Sequence, residues 1–93
     1  MKPLISIVLP IRNEEDNLIM VCRSISQQSY KDLFEVMLID DSDPQYKRHI
    51  VKCIDILNKE GIKVKWLRGS GAGVGDAMLI GLKASEADYV FFL

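Results

Sequence analysis

Residues 34–43 read Phe-Glu-Val-Met-Leu-Ile-Asp-Asp-Ser-Asp, an apolar run that stops abruptly at two adjacent carboxylates. Val36 to Ile39 has the pattern of a strand buried on both faces, which belongs to parallel sheets covered by helices. The acids then stand at the C-terminal edge of the sheet, where open α/β sheets bind their ligands. Two neighbouring carboxylates repel and are costly to desolvate, so their presence needs a reason. Helix capping supplies one for Ser42 and Asp43, which stand just before Pro44. It serves Asp41 less well.

The rest of the chain alternates around this run. Residues 4–9 read as a first strand, mostly apolar and β-branched. Pro10 is expected to end it, since proline cannot continue a central ladder. Asn13 is expected to cap a first helix, with Glu14, Glu15 and Asp16 in its first turn. Leu18, Val21, Cys22 and Ile25 follow at i, i+3, i+4, i+7 spacing, one buried stripe. Pro44 suits the first position of a second helix with Ile50, Ile54 and Leu57 on its apolar face. Gly61 closes it as a left-handed cap. Val64, Trp66 and Leu67 make a third strand, and residues 68–75 a glycine-rich turn. A third helix covers residues 75–84, with Ala77, Met78 and Leu82 as core candidates and Gly81 permitting close approach to the sheet. Residues 89–93 form a fourth strand. The result is βαβαβαβ, an α/β, three-layer, Rossmann-like arrangement with right-handed crossovers. The expected strand order is 3-2-1-4, with the switch point between strands 1 and 4.

Ninety-three residues suffice for one small domain. A net charge of −1 provides no basic field for nucleic acid or an anionic membrane. No stretch is long enough to span a bilayer. Met1-Lys2-Pro3 leads directly into a strand, so no signal peptide is expected. Cys22 and Cys53 lack metal-ligand spacing and read as buried thiols of a reducing, cytoplasmic compartment. His49 lies among Lys47, Arg48 and Lys52 on a solvated helix face. Trp66 and the methionines read as core. The final apolar strand would be an aggregation hazard at a bare sheet edge. Leu93 is therefore expected not to be the natural end of the domain.

Three constellations carry chemistry. Pro10, Arg12 and Glu14 follow the first strand and form a rigid rim at the sheet edge, although Glu14 also suits a helix dipole. Asp40 and Asp41 accept hydrogen bonds from ring N–H groups and sugar hydroxyls and repel phosphate. They suit the base or ribose end of a nucleotide. The glycines at 69, 71, 73 and 75 fit neither the dinucleotide fingerprint nor a P-loop. A flexible helix entry explains them, as does backbone approach to an anion with Arg68 as charge partner. No nucleophile–base pair, metal cluster or triad is evident.

Ser6-Ile7-Val8-Leu9-Pro10, Asn13-Glu14, Leu38-Ile39-Asp40-Asp41-Ser42, the glycine turn with Ala77 and Gly81-Leu82-Lys83-Ala84, and Asp88-Tyr89-Val90 occur in that order. Together they resemble the N-terminal half of family 2 glycosyltransferases with the GT-A fold. The glycine turn running into Gly81-Leu82-Lys83 looks most like the dolichyl-phosphate mannose or glucose synthase branch. The resemblance implies that residues 1–93 are the N-terminal part of a single GT-A domain. It implies a nucleotide-sugar site built by Pro10, Arg12, Glu14, Ile39, Asp40 and Asp41, with Arg68 and Gly73 as weaker phosphate-side candidates. It further implies a GDP- or UDP-sugar donor, a lipid phosphate or glycan hydroxyl acceptor, and inverting displacement at the anomeric carbon. Mg²⁺ or Mn²⁺ would be held by residues after Leu93, as would any catalytic base, and membrane association would come only through other regions. Ile11-Arg12 departs from the family's Thr-Tyr. Arg12 would stack on the base or reach a phosphate there. Two other readings compete. One is a non-catalytic nucleotide-binding or interaction module. The other is a phosphoacceptor receiver, where the acid pair should follow the first strand.

Overall fold

The computed structural model describes residues 2–93, so the reading made from Met1 lies outside the described residues. Four strands form one parallel sheet: β1 (Ile5–Ile11), β2 (Phe34–Asp40), β3 (Lys63–Arg68) and β4 (Tyr89–Phe92). Their order is β3-β2-β1-β4, the order expected from the sequence. The helices are α1 (Asp16–Ser26), α2 (Lys47–Lys59) and α3 (Val74–Ala84).

Strand alternation divides the core. Leu9, Ile11, Val36 and Leu38 pack with Leu18, Cys22, Ile50, Cys53 and Leu57 under α1 and α2. Val8, Met37 and Ile39 pack on the other face with Ala77 of α3. All seven residues of β2 are buried, which places it at the centre of the molecule. Gly81 is where α3 meets β1: a Cβ there would lie 2.5 Å from Val8 Cγ1.

Several local expectations change. Pro10 does not end β1, which runs on to Ile11 beside Asp40. The backbone of Val8 faces β4, because its carbonyl accepts Leu93 N–H at 3.0 Å, and β4 pairs no further than Val8. Alternation turns Pro10 to that same side, beyond the last β4 partner, so its missing N–H costs no ladder bond. Asn13 is not the cap of α1: the helix starts at Asp16 and Asn13 adopts a left-handed φ of 53°. Pro44 opens a short 3-10 turn, Pro44–Tyr46, that precedes α2. Leu82 faces outward at 49% exposure, and Ile80 and Ala84 take the packing role instead. Met20 is exposed, whereas Met37 is fully buried. His49 is half-buried and its Nδ1 has no partner among the described residues, so its helix face is less solvated than expected.

Gly61 behaves as read, at φ 76° just past α2. Its N–H donates to Asn58 O at 3.0 Å and that of Ile62 to Leu57 O at 3.1 Å, a Schellman closure. Ile62 and Leu57 are both buried beneath it.

Candidate functional site

The acid pair at the end of β2 is split by the pleat of the sheet. Successive side chains point to opposite faces. Asp40 turns toward α2 and Asp41 toward α3. Asp40 is 7% exposed and both its oxygens are engaged. Oδ1 accepts Ser42 N–H at 2.8 Å, and Oδ2 accepts Trp66 Nε1–H at 3.0 Å. Trp66 is therefore not core: its indole is 39% exposed and lies over Asp40. Arg68 donates from Nη1 to Ser42 O at 2.9 Å on this same face. Asp40, Ser42, Lys47, Trp66 and Arg68 border an open cleft of about 440 Å³.

Asp41 lines a different cleft, of about 160 Å³, on the α3 face. Pro10, Ile11, Arg12, Glu14 and Asp41 meet Gly73, Val74 and Ala77 there. The structure thus brings together Pro10, Arg12, Glu14, Asp41 and Gly73 of the expected site. It leaves Asp40 and Arg68 on the far side of the sheet. Ile39 is fully buried beneath, against Val8 and Ala77.

The glycine turn has a role that motif matching missed. Gly71 N–H donates to Asp41 Oδ1 at 2.9 Å. The backbone of Gly69 passes so close to the same carboxylate that any Cβ there would collide with it. Asp41 N–H is in turn fixed to Ile11 O at 2.9 Å. The turn therefore cradles Asp41. Gly71 at φ 80° and Gly73 at φ 103° adopt backbone angles that other residues strongly disfavour. Ser70 Oγ bonds Asp76 and accepts Ala72 N–H at 3.2 Å, closing the turn onto α3. The visible signal was the run of alternate glycines; what it served required the fold.

Asn13 was also misjudged. Its N–H donates to Ser42 Oγ at 2.9 Å, and its Oδ1 accepts Asp43 N–H at 2.9 Å. Its Nδ2 reaches Asp43 Oδ2 at 3.3 Å. Asn13 thus ties the loop after β1 to the loop after β2. The left-handed conformation that asparagine tolerates makes this reach feasible. Ser42 and Asp43 serve this tie, and neither makes a side-chain cap to the turn at Pro44.

No group of three or more His, Cys, Asp or Glu side chains suited to a metal occurs among the described residues. A divalent cation does not fit the residues present. Among them, no helix is long and apolar enough to cross a membrane.

Comparison with known proteins agrees with this geometry. The pattern of glycosyl transferase family 2 matches residues 6–93. An uncharacterized glycosyltransferase of Haemophilus influenzae is 33% identical over 91 residues, which is 98% of this chain and 35% of that protein. The crystal structure of S. aureus TarS superposes with a TM-score of 0.75 and 30% identity, covering all of this chain and 16% of that one. A mannosyltransferase from Pyrobaculum calidifontis, PcManGT in complex with GDP-Man and Mn²⁺, has a TM-score of 0.70 at 17% identity. It covers 91% of this chain and 25% of its own, a likeness of fold. The chain thus spans about a third of the curated relative it matches. The family match over residues 6–93 and the 33% identity to the Haemophilus influenzae protein place the chain in glycosyl transferase family 2.

Proposed function

We propose that residues 2–93 form the donor-binding part of an enzyme that transfers a sugar from a nucleoside diphosphate to an acceptor. The observation that carries this reading is the single cleft at the C-terminal edge of β1 and β2. It joins Pro10, Arg12, Glu14, Asp41 and Gly73. Asp41 accepts an N–H of the base, and Pro10 gives the ring a rigid wall. Arg12 and the N-terminus of α3 at Gly73 face the diphosphate, where positive charge and free N–H groups favour anions. The GDP-Man bound to PcManGT supports a nucleotide sugar as the donor kind.

In the reaction, an acceptor oxygen attacks the anomeric carbon from the face opposite the diphosphate. The new C–O bond forms as the bond to the diphosphate breaks. The nucleoside diphosphate leaves with the electron pair, and the anomeric configuration inverts. An acceptor phosphate such as a polyprenyl or dolichyl phosphate is already anionic. A hydroxyl acceptor must lose its proton to a carboxylate. When bound, a divalent cation would neutralise charge on the leaving diphosphate.

The test is calorimetry on the full-length protein. Asp41→Ala weakens binding of the nucleoside diphosphate by about 1–3 kcal/mol through a lost charge-assisted bond. Unchanged affinity would remove Asp41 from the site. Glu14→Ala should lower affinity more than melting temperature. The reverse would reduce Glu14 to a helix-dipole residue.

A further inference from the structure

Different segments build the walls of the donor cleft. Arg12 and Glu14 follow β1, and Asp41 follows β2. The ladder between these strands ends at Ile11 and Asp40. Beyond it, hydrogen bonds between the two loops take over. Asp41 N–H donates to Ile11 O at 2.9 Å. Asn13 makes three more: its N–H donates to Ser42 Oγ at 2.9 Å, its Oδ1 accepts Asp43 N–H at 2.9 Å, and its Nδ2 donates to Asp43 Oδ2 at 3.3 Å. Asn13 itself lies outside the lining of the cleft. We infer that Asn13 is a positioning residue for donor binding. It fixes the arm that carries Arg12 and Glu14 against the loop that carries Asp41, without touching the donor. This inference rests on the nucleotide reading of the cleft.

The choice of residue supports the role. The backbone at Asn13 is left-handed, with φ 53°. Glycine meets that demand with the least strain. Asparagine also tolerates it, and adds a side chain with both an acceptor and a donor. Both are spent on one partner, Asp43: the amide oxygen on its N–H and the amide nitrogen on its carboxylate. Aspartate at this position would keep the acceptor but set a second carboxylate against the first, and like charges repel.

Such support matters because binding groups must be held to within roughly 0.5 Å of their productive geometry. Asp41 has its own fixture in Ile11 O and Gly71 N–H. Arg12 and Glu14 stand past the last ladder pair of β1, and Asn13 between them is what anchors that arm to the β2 loop.

The experiment is calorimetric titration of the full-length protein with UDP and with GDP. The native protein is compared with Asn13→Gly, with Asn13→Asp and with the double variant Asn13→Asp/Asp43→Asn. In the double variant the amide donor and the carboxylate acceptor change sides, so the bond between the two side chains can form again. Titrations are run at a temperature where circular dichroism shows each variant fully folded, so that lost stability does not register as lost affinity. The nucleotide that binds the native protein is expected to weaken roughly three- to tenfold in each single variant. It should return to within about twofold of native in the double variant. Native affinity in Asn13→Gly would overturn the positioning role of the side chain. A double variant as weak as Asn13→Asp would overturn the pairing with Asp43 as its source. Both of those results leave the nucleotide reading standing, since the native protein still binds. Failure of both nucleotides to bind the native protein would remove the nucleotide reading itself. If Asn13→Asp does not fold, Asn13→Gly alone decides the role of the side chain.

Discussion

The backbone of Gly69 lies directly against the carboxylate of Asp41, with no room between them for a side chain. The position carries no left-handed φ, so alanine meets no backbone strain there. Gly69→Ala should therefore act on the ligand more than on the fold. The added methyl displaces the carboxylate and breaks its bond to Gly71. Nucleotide affinity is expected to fall by about 1–2 kcal/mol, with a smaller loss of stability. Calorimetry and thermal melting of the same variant check both halves.

Asp40 should behave in the opposite way to its neighbour. It is buried and accepts bonds from Ser42 N–H and Trp66 Nε1–H. Asp40→Ala strands both donors and is expected to cost about 1–3 kcal/mol of stability. Asp41→Ala, at a half-exposed position, should cost less in stability and more in binding. Urea denaturation alongside nucleotide titration separates the two. If Asp40→Ala is the larger loss in binding at equal stability, the division of labour between them is wrong.

Contact between Gly81 and Val8 predicts an overpacking effect. Gly81→Ala places a methyl 2.5 Å from Val8 Cγ1 and 2.9 Å from Cγ2. The expected cost is about 1–3 kcal/mol despite alanine's better helix propensity. Val8→Ala in the same background should recover part of that loss. A double-mutant cycle by chemical denaturation measures the coupling.

The facing thiols of α1 and α2 predict a pH dependence. The Cys22 thiol is pushed well up by its hydrogen bond with Cys53 and by burial. The folded state thus holds a proton that the unfolded chain releases near the ordinary thiol value of about 8.5. Stability from this group is fully present below that pH and is lost as pH rises above it. Denaturation midpoints should fall for the native protein as pH rises from about 7 to about 10. Cys22→Ala should flatten the slope, at the cost of a lower midpoint at neutral pH.

The fold was legible because its signals were redundant. The apolar run at Val36–Ile39, the stripe at Leu18, Val21, Cys22 and Ile25, and Gly61 each pointed to the same alternation. Strand order followed from the common doubly wound arrangement, whose switch point lies between strands 1 and 4. The site was legible only in outline. The sequence shows that Asp40 and Asp41 stand together at a strand end, but which one meets a ligand depends on partners far along the chain. Trp66 and Gly71 supply those partners, and neither can be matched to an acid without the sheet register. Glu35 makes the same point. A charged residue inside the most buried strand is satisfied by Ser6 Oγ at 2.8 Å and by Lys65 at 3.6 Å. Pro10 was misread because the rule against proline in a central ladder applies to a particular side of the strand, not to the whole of it.

The pleat at the end of β2 also has a consequence for comparing and engineering such chains. Because neighbouring residues there belong to different faces, a shift of one position exchanges scaffold for contact. A single insertion within Phe34–Asp40 would move Asp40 to the cleft position and Ile39 to the place beside the indole, whereas a single deletion would move Asp41 beside the indole. An alignment misplaced by one residue would make the same exchange on paper. The separation also offers independence. The wall around Trp66 and Lys47 can be redesigned while the ligand-facing carboxylate stays in place, since the sheet stands between them.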